Sequence, residues 1–191
     1  MRTLGIIAAC LLCATLALPS RAQTSSSSDS SEYLIKAGFI YNFAKLTEWP
    51  ASAFPAPDSP IVIGILGSDP FEGTLEQVLQ GKTANGRGFV VKHLKWGSEL
   101  KDCNILFVSA SETPHLDQIL HLVKGMTILT IGDTPNFALR GGMINFILED
   151  GKIHFEANVE AAKQADINIS SRLLSLARIV PHTVSDASKA P

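Results

Sequence analysis

The sequence predicts a single α/β domain built on a mixed, mostly parallel sheet with helices on both faces. Two observations carry that prediction. Between Ile61 and Ile131 the chain alternates short, wholly apolar runs with amphipathic runs, joined by short connections. Beyond Gly141 the pattern changes to two alternating runs joined by Asp150-Gly151, the dipeptide of a tight hairpin. A C-terminal β-hairpin and a terminal helix therefore follow the parallel part.

The first 22 residues read as a signal peptide. Arg2 supplies the positive start, and the apolar stretch Leu4 to Leu18 is too short to span a bilayer. Ser20-Arg21-Ala22 is the expected cleavage site. Ile7-Ala8-Ala9-Cys10 has the look of a lipobox but leaves almost no apolar run before it. Removing Arg2 and Arg21 takes the 16 basic residues to 14 against 18 acidic, so the exported chain carries 14 − 18 = −4. That balance gives no basic face for nucleic acid. The chain is expected to be soluble and exported.

Residues 23–31 are serine-rich and read as a flexible leader. The domain proper is expected over 32–180. It opens with the most aromatic stretch of the chain, Glu32 to Pro50. Asp29 and Ser30 are candidate caps, and Pro50 is the expected stop. Two apolar seams, Ile35/Phe39/Phe43/Leu46 and Tyr33/Ala37/Ile40/Ala44, predict a helix buried nearly all round. The alternative is that one seam faces a partner. Tyr41 and Asn42 are its candidate functional exposures.

Ile61 to Leu66 predicts a strand buried on both faces. Asp69, Pro70 and Glu72 then read as an N-cap, first helical residue and capping-box glutamate. Phe71, Leu75, Val78 and Leu79 form the inward stripe, and Gly81 is the stop. Phe89 to Leu94 is the second strand and Cys103 to Val108 the third. Thr113-Pro114 reads as another helix start, with Leu116, Ile119, Leu120 and Val123 inward and Gly125 as the stop. Met126 to Ile131 is the fourth strand.

Gly141 to Leu148 and Lys152 to Asn158 are the hairpin strands. Lys152, His154 and Glu156 alternate with Ile153 and Phe155, so the second strand has a polar face and belongs at or near an edge. Two helices follow, Val159 to Ala165 and Ser171 to Val180, the latter made amphipathic by Leu173, Leu174, Leu176 and Ala177. Residues 181–191 read as a disordered tail.

Chemistry is sparse. No glycine spacing fits a dinucleotide fingerprint or phosphate loop, and no nucleophile elbow is present. The five histidines lack metal-ligand spacing. No nucleophile and base can be assembled from neighbouring residues, which leaves only distant residues meeting in the fold, as in an exported hydrolase, for catalysis; no metal or cofactor is expected. Three loops follow parallel strands, and an open α/β sheet binds ligands at those ends. Ser68, Asp69, Ser109 and Asp133 therefore mark a candidate small-molecule crevice, although Asp69 and Asp133 also have local backbone roles. Cys103 loses both possible partners, Cys10 and Cys13, with the signal. A lone exported cysteine is either buried or bridges two chains. The apolar run after Cys103 favours burial, and an intermolecular disulfide is the other option.

Three blocks, in order, carry a family resemblance: Lys36 to Lys45 with Glu48-Trp49-Pro50; Cys103 to Ser109; and Gly141 to Phe146, Phe155 to Asn158 and Ile167 to Leu174. Together they resemble the YfiR-like proteins (the DUF4154 family) over about residues 32–180. The resemblance implies a non-enzymatic periplasmic regulator. Such a protein binds the periplasmic domain of an inner-membrane diguanylate cyclase and holds it inactive, lowering cyclic di-GMP and biofilm. It implies an OmpA-like outer-membrane lipoprotein that sequesters the repressor, and homodimers. Studied relatives use disulfides, which the lone Cys103 cannot form within one chain. Partner-binding residues are expected in the C-terminal block: Phe146, His154, Glu156, Ile169, Arg172, Ser175 and Arg178. A periplasmic small-ligand sensor or solute-binding module is the alternative, using the strand-end crevice.

Overall fold

The computed structural model describes residues 25–181. The expected signal peptide, the first two leader residues and the tail beyond Pro181 lie outside the described residues. Helix α1 spans Ser25–Lys45. It begins inside the serine run, so the leader reading is corrected from Ser25 onward, and Asp29 and Ser30 lie within the helix rather than capping it. Serine costs a helix only about half a kcal/mol relative to alanine, which a helix anchored by packing further along absorbs.

The helix stops at Lys45, short of Pro50, because the next residues are claimed by a strand. Thr47–Glu48 (β1) pairs antiparallel with Asn168–Ile169 (β8). Ala37, Ile40, Phe43 and Ala44 of α1 are fully buried, but Leu34 and Ile35 are half exposed. The helix thus buries one broad face rather than its whole circumference.

The main sheet has seven strands in the order β3-β2-β4-β5-β6-β7-β9. They are β2 (Ile61–Leu66), β3 (Phe89–Leu94), β4 (Ile105–Val108), β5 (Leu129–Gly132), β6 (Ile144–Glu149), β7 (Lys152–Ala157) and β9 (Arg178–Ile179). From β3 to β6 all pairings are parallel. The β6–β7 hairpin is antiparallel, and β9 adds parallel to β7. The turn has φ of 50° at Asp150 and 72° at Gly151, the left-handed pair that such a tight turn requires.

Each sheet face has its own cover. On one, Ile63, Ile65, Phe107, Ile131, Phe146 and Phe155 meet α1, α2 (Thr74–Leu79), α4 (Val159–Gln164) and α5 (Ser171–Leu174). On the other, Leu66, Leu106 and Val108 meet Leu116, Ile119, Leu120 and Val123 of α3 (Leu116–Val123). The aromatic centre of the first layer is Phe43, 5.0 Å from Phe155 and 5.6 Å from Phe146 between ring centroids. Burying one such ring is worth about 2–3 kcal/mol.

Both proline-marked helix starts differ from expectation. Asp69 does not open a capping box. Its Oδ1 accepts the Phe71 N–H at 2.8 Å, and left-handed Glu72 and Gly73 delay α2 until Thr74. That turn drives Phe71 into the core, edge-on to Phe107 at 4.9 Å. Thr113 and Pro114 lie inside a 3-10 helix, Ala110–His115, that begins after Ser109 and precedes α3. The terminal helix is also shorter than expected. It ends at Leu174, and Arg178–Ile179 forms β9, so β7 lies one strand in from the edge.

Candidate functional site

Three places were marked by the sequence: the strand-end crevice, Cys103 and the C-terminal block. The sheet order reverses between β2 and β4, the switch point at which open α/β sheets bind ligands. Here the loops close on each other. The Ser68 N–H donates to Ser111 Oγ at 2.9 Å, and a Cβ at Gly67 would collide with the Ser111 and Glu112 side chains. Ser109 Oγ accepts from the Ser111 N–H, and Asp69 serves its own turn.

Asp133 follows β5 and is turned inward. Its Oδ2 accepts from Lys36 Nζ at 2.7 Å and from the Tyr33 hydroxyl at 2.8 Å. Lys36 also pairs with Glu32 at 2.6 Å and lies 4.2 Å over the Tyr33 ring. Lys36 and Asp133 side chains are only 4% and 8% exposed. The crevice candidates are thus occupied by internal contacts. Ser68, Asp69, Ser109 and Asp133 line neither of the two principal grooves. Sequence reasoning missed Lys36 as the partner of Asp133. The only signal was a lysine on the helix face that also carries Ala37, Ile40 and Phe43.

Cys103 is buried and free. Its sulfur sits so close to Gly64 that a Cβ there would lie 2.7 Å away. Burial pushes the Cys103 thiol up from its ordinary value. This burial agrees with the reading of Cys103 as a buried thiol.

The C-terminal block divides into core and surface. Phe146 and Ile169 are 3% and 6% exposed and belong to the core beneath α1, so neither offers a side chain to a partner as had been expected. On the alternating β6–β7 hairpin, Phe146 falls on the face that α1 covers. Ile169 is drawn in by the β1–β8 pairing.

Glu156 is half-buried, and its Oε2 accepts from Asn145 Nδ2 at 2.9 Å. His154, Arg172, Ser175 and Arg178 are exposed. Arg178 grips Glu149 with two bonds, Nη1 to Oε1 at 3.0 Å and Nη2 to Oε2 at 2.9 Å, tying β9 to the hairpin. Those bonds hold the Glu149 carboxyl below the usual carboxylate range and raise the Arg178 guanidinium.

The same block also exposes large apolar side chains. Leu148 is 59% exposed, Leu176 68% and Ile179 53%. Leu176 reads as inward on a continuous helix. Because α5 stops at Leu174, it turns outward instead. By register Leu148 and Ile179 share the sheet face of Phe146 and Ala157, at opposite ends of the hairpin, whereas His154 and Arg178 lie on the other face. Exposed apolar side chains at a sheet edge are material for a protein-binding surface.

Among the described residues, no group of three or more His, Cys, Asp or Glu side chains is placed to hold a metal ion, and no helix is long and apolar enough to cross a membrane. No curated protein matches the chain. The family described as YfiR/HmsC-like matches residues 33–178, from Tyr33 beside Asp133 to Arg178 beside Glu149. At family level that match makes the protein a periplasmic regulator of diguanylate cyclase signalling. The chain belongs to the YfiR/HmsC-like family.

Proposed function

We propose that the chain is a periplasmic repressor. It binds the periplasmic domain of an inner-membrane diguanylate cyclase, holds the cyclase inactive, and so lowers cyclic di-GMP and biofilm output. The single observation that carries this reading is the family match across residues 33–178, which takes in the sheet up to Arg178, the first residue of β9. The contact surface in this reading is the exposed part of that block. Leu148, Leu176 and Ile179 supply exposed apolar side chains, and His154, Arg172, Ser175 and Arg178 exposed polar ones. Glu156 is held by Asn145.

Silencing requires only that the repressor bind the inactive cyclase more tightly than the active one. A 100-fold preference is about 2.7 kcal/mol. Two or three apolar side chains buried in one state and not the other supply that much. Export through a cleaved signal peptide, sequestration by an OmpA-like outer-membrane lipoprotein and homodimer formation complete the reading. The internally bonded crevice gives no comparable support to the small-ligand alternative.

An affinity-tagged chain recovered from detergent-solubilised membranes tests this. The expected result is a co-purifying membrane protein with diguanylate cyclase activity, lost with Leu176→Glu. Recovery of the chain without any such protein overturns the reading.

A further inference from the structure

The opposite edge of the sheet ends on β3. Strand β3 is the terminal strand there and, among the described residues, pairs only with β2. Its ladder is bracketed by the Ile61 N–H bonding Gly88 O at 2.9 Å and the Gly67 N–H bonding Leu94 O at 3.0 Å. In a parallel ladder the backbone groups of alternate residues turn to opposite sides. Gly88, Val90, Lys92 and Leu94 therefore face β2. Phe89, Val91 and His93 point their N–H and C=O groups away from the sheet. Among the described residues no backbone or side-chain group bonds to them.

Two further features distinguish this edge from an ordinary exposed strand. The first is shape. A groove of about 610 Å³ runs beside β3, lined by Leu79, Gln80, Lys82, Phe89 and Val91, between the strand and α2. An added strand would drop alternate side chains into that groove, because side chains alternate between faces along a strand. The second is charge. The chain has more acidic than basic residues, yet residues 82–95 contain Lys82, Arg87, Lys92, His93 and Lys95 and no aspartate or glutamate.

Lys82, Lys92, His93 and Lys95 are exposed. Arg87 is engaged with the Ala56 and Ser59 carbonyls. The nearby carboxylates of Glu76 and Asp69 are turned to His93, at 3.1 and 3.7 Å. Two copies meeting edge to edge would set these lysines against each other, and a lysine on an edge strand is a known guard against such pairing. An acidic strand would meet them favourably.

We propose that β3 is the docking edge for an extended acidic segment of a partner protein. The segment adds as an eighth strand and seats alternate side chains in the groove beside α2.

The test uses the purified full chain, a synthetic peptide of about seven residues alternating valine and glutamate, and its lysine counterpart. Amide exchange is followed by NMR. The expected result is that the glutamate peptide slows exchange at Phe89, Val91 and His93 by at least about tenfold. Val90 and Lys92, already bonded to β2, stay unchanged. The lysine peptide has no such effect. Val91→Pro removes an outward donor and no bond to β2, so it abolishes the protection. Lys92→Glu, a surface change that keeps the fold, shifts the preference toward the lysine peptide. The proposal is overturned by equal binding of both peptides or by no slowing at millimolar glutamate peptide. It is equally overturned by concentration-dependent protection of the same amides without peptide, which would assign the edge to a second copy.

Discussion

Lys36 Nζ and Asp133 Oδ2 meet 2.7 Å apart beneath α1, across 97 positions of sequence. The contact fastens the first helix to the loop at the carboxyl end of β5. Asp133 Oδ1 is buried without a hydrogen-bond partner, so the carboxylate depends on Lys36 and Tyr33 for its compensation. Removing one member of a buried pair leaves an unpaired charge and costs about 3–5 kcal/mol, whereas removing both is much milder. Lys36→Met is therefore expected to lower unfolding free energy in urea by about 3 kcal/mol. Adding Asp133→Leu should restore most of it. A single-variant loss below about 1 kcal/mol would contradict the buried-pair description.

Phe146 tests the division of the C-terminal block. Its ring packs 5.6 Å from Phe43 and 6.0 Å from Phe39. Phe146→Ala should cost about 3–5 kcal/mol of stability through the cavity it leaves. By contrast, Leu176→Ala should change the melting temperature by no more than a degree or two, because that side chain is 68% exposed. Equal melting temperatures for the two variants would place Phe146 at the surface and sink this division.

Acid should loosen β9. Arg178 holds the Glu149 carboxyl below its ordinary value. The stabilisation from a depressed carboxylate is complete above the unfolded value of about 4.3 and is lost as pH falls through the lower folded value. In carboxyl-detected NMR the Glu149 midpoint should lie below about 4.3 and return to it in Arg178→Ala. A midpoint that does not move on that substitution would show that the pair does not form in solution.

Cys103 should behave as an inert thiol. Burial raises its pKa and blocks access, so an aromatic disulfide reagent should react only as the protein unfolds. Non-reducing electrophoresis should give a monomer band. Gly64→Ala, which forces a Cβ against the sulfur, should be destabilising by about 1–3 kcal/mol. A disulfide-linked dimer formed by the native protein would contradict the burial of this sulfur.

The parallel strands were legible because strands buried on both faces leave unbroken apolar runs, as at Ile61–Leu66 and Ile105–Val108. The hairpin was legible because Asp150-Gly151 admits few other conformations. What escaped notice depends on tertiary partners. The two-residue strands β1, β8 and β9 are too short to show a period. Their formation ended α1 early, shortened the last helix and swung Leu176 outward. Asp69-Pro70 carries a sound local helix signal, yet the pull of Phe71 into the core outweighs it. Of the candidate partner residues, His154 was readable as exposed from strand alternation, and Arg172, Ser175 and Arg178 from the polar side of the last amphipathic run. Phe146 was not, since sequence alone does not say which hairpin face the first helix covers, and Ile169 was not, because its burial follows from the two-residue β1–β8 pairing.

Repression through the C-terminal surface should be visible in cyclic di-GMP extracted from cells. Deleting the gene should raise cyclic di-GMP, and restoring the wild-type chain should lower it again. A folded Leu176→Glu/Ile179→Glu variant, weakened in binding by at least about tenfold (~1.4 kcal/mol), should fail to lower it. Unchanged cyclic di-GMP on deletion, or full repression by the double variant, would contradict the account.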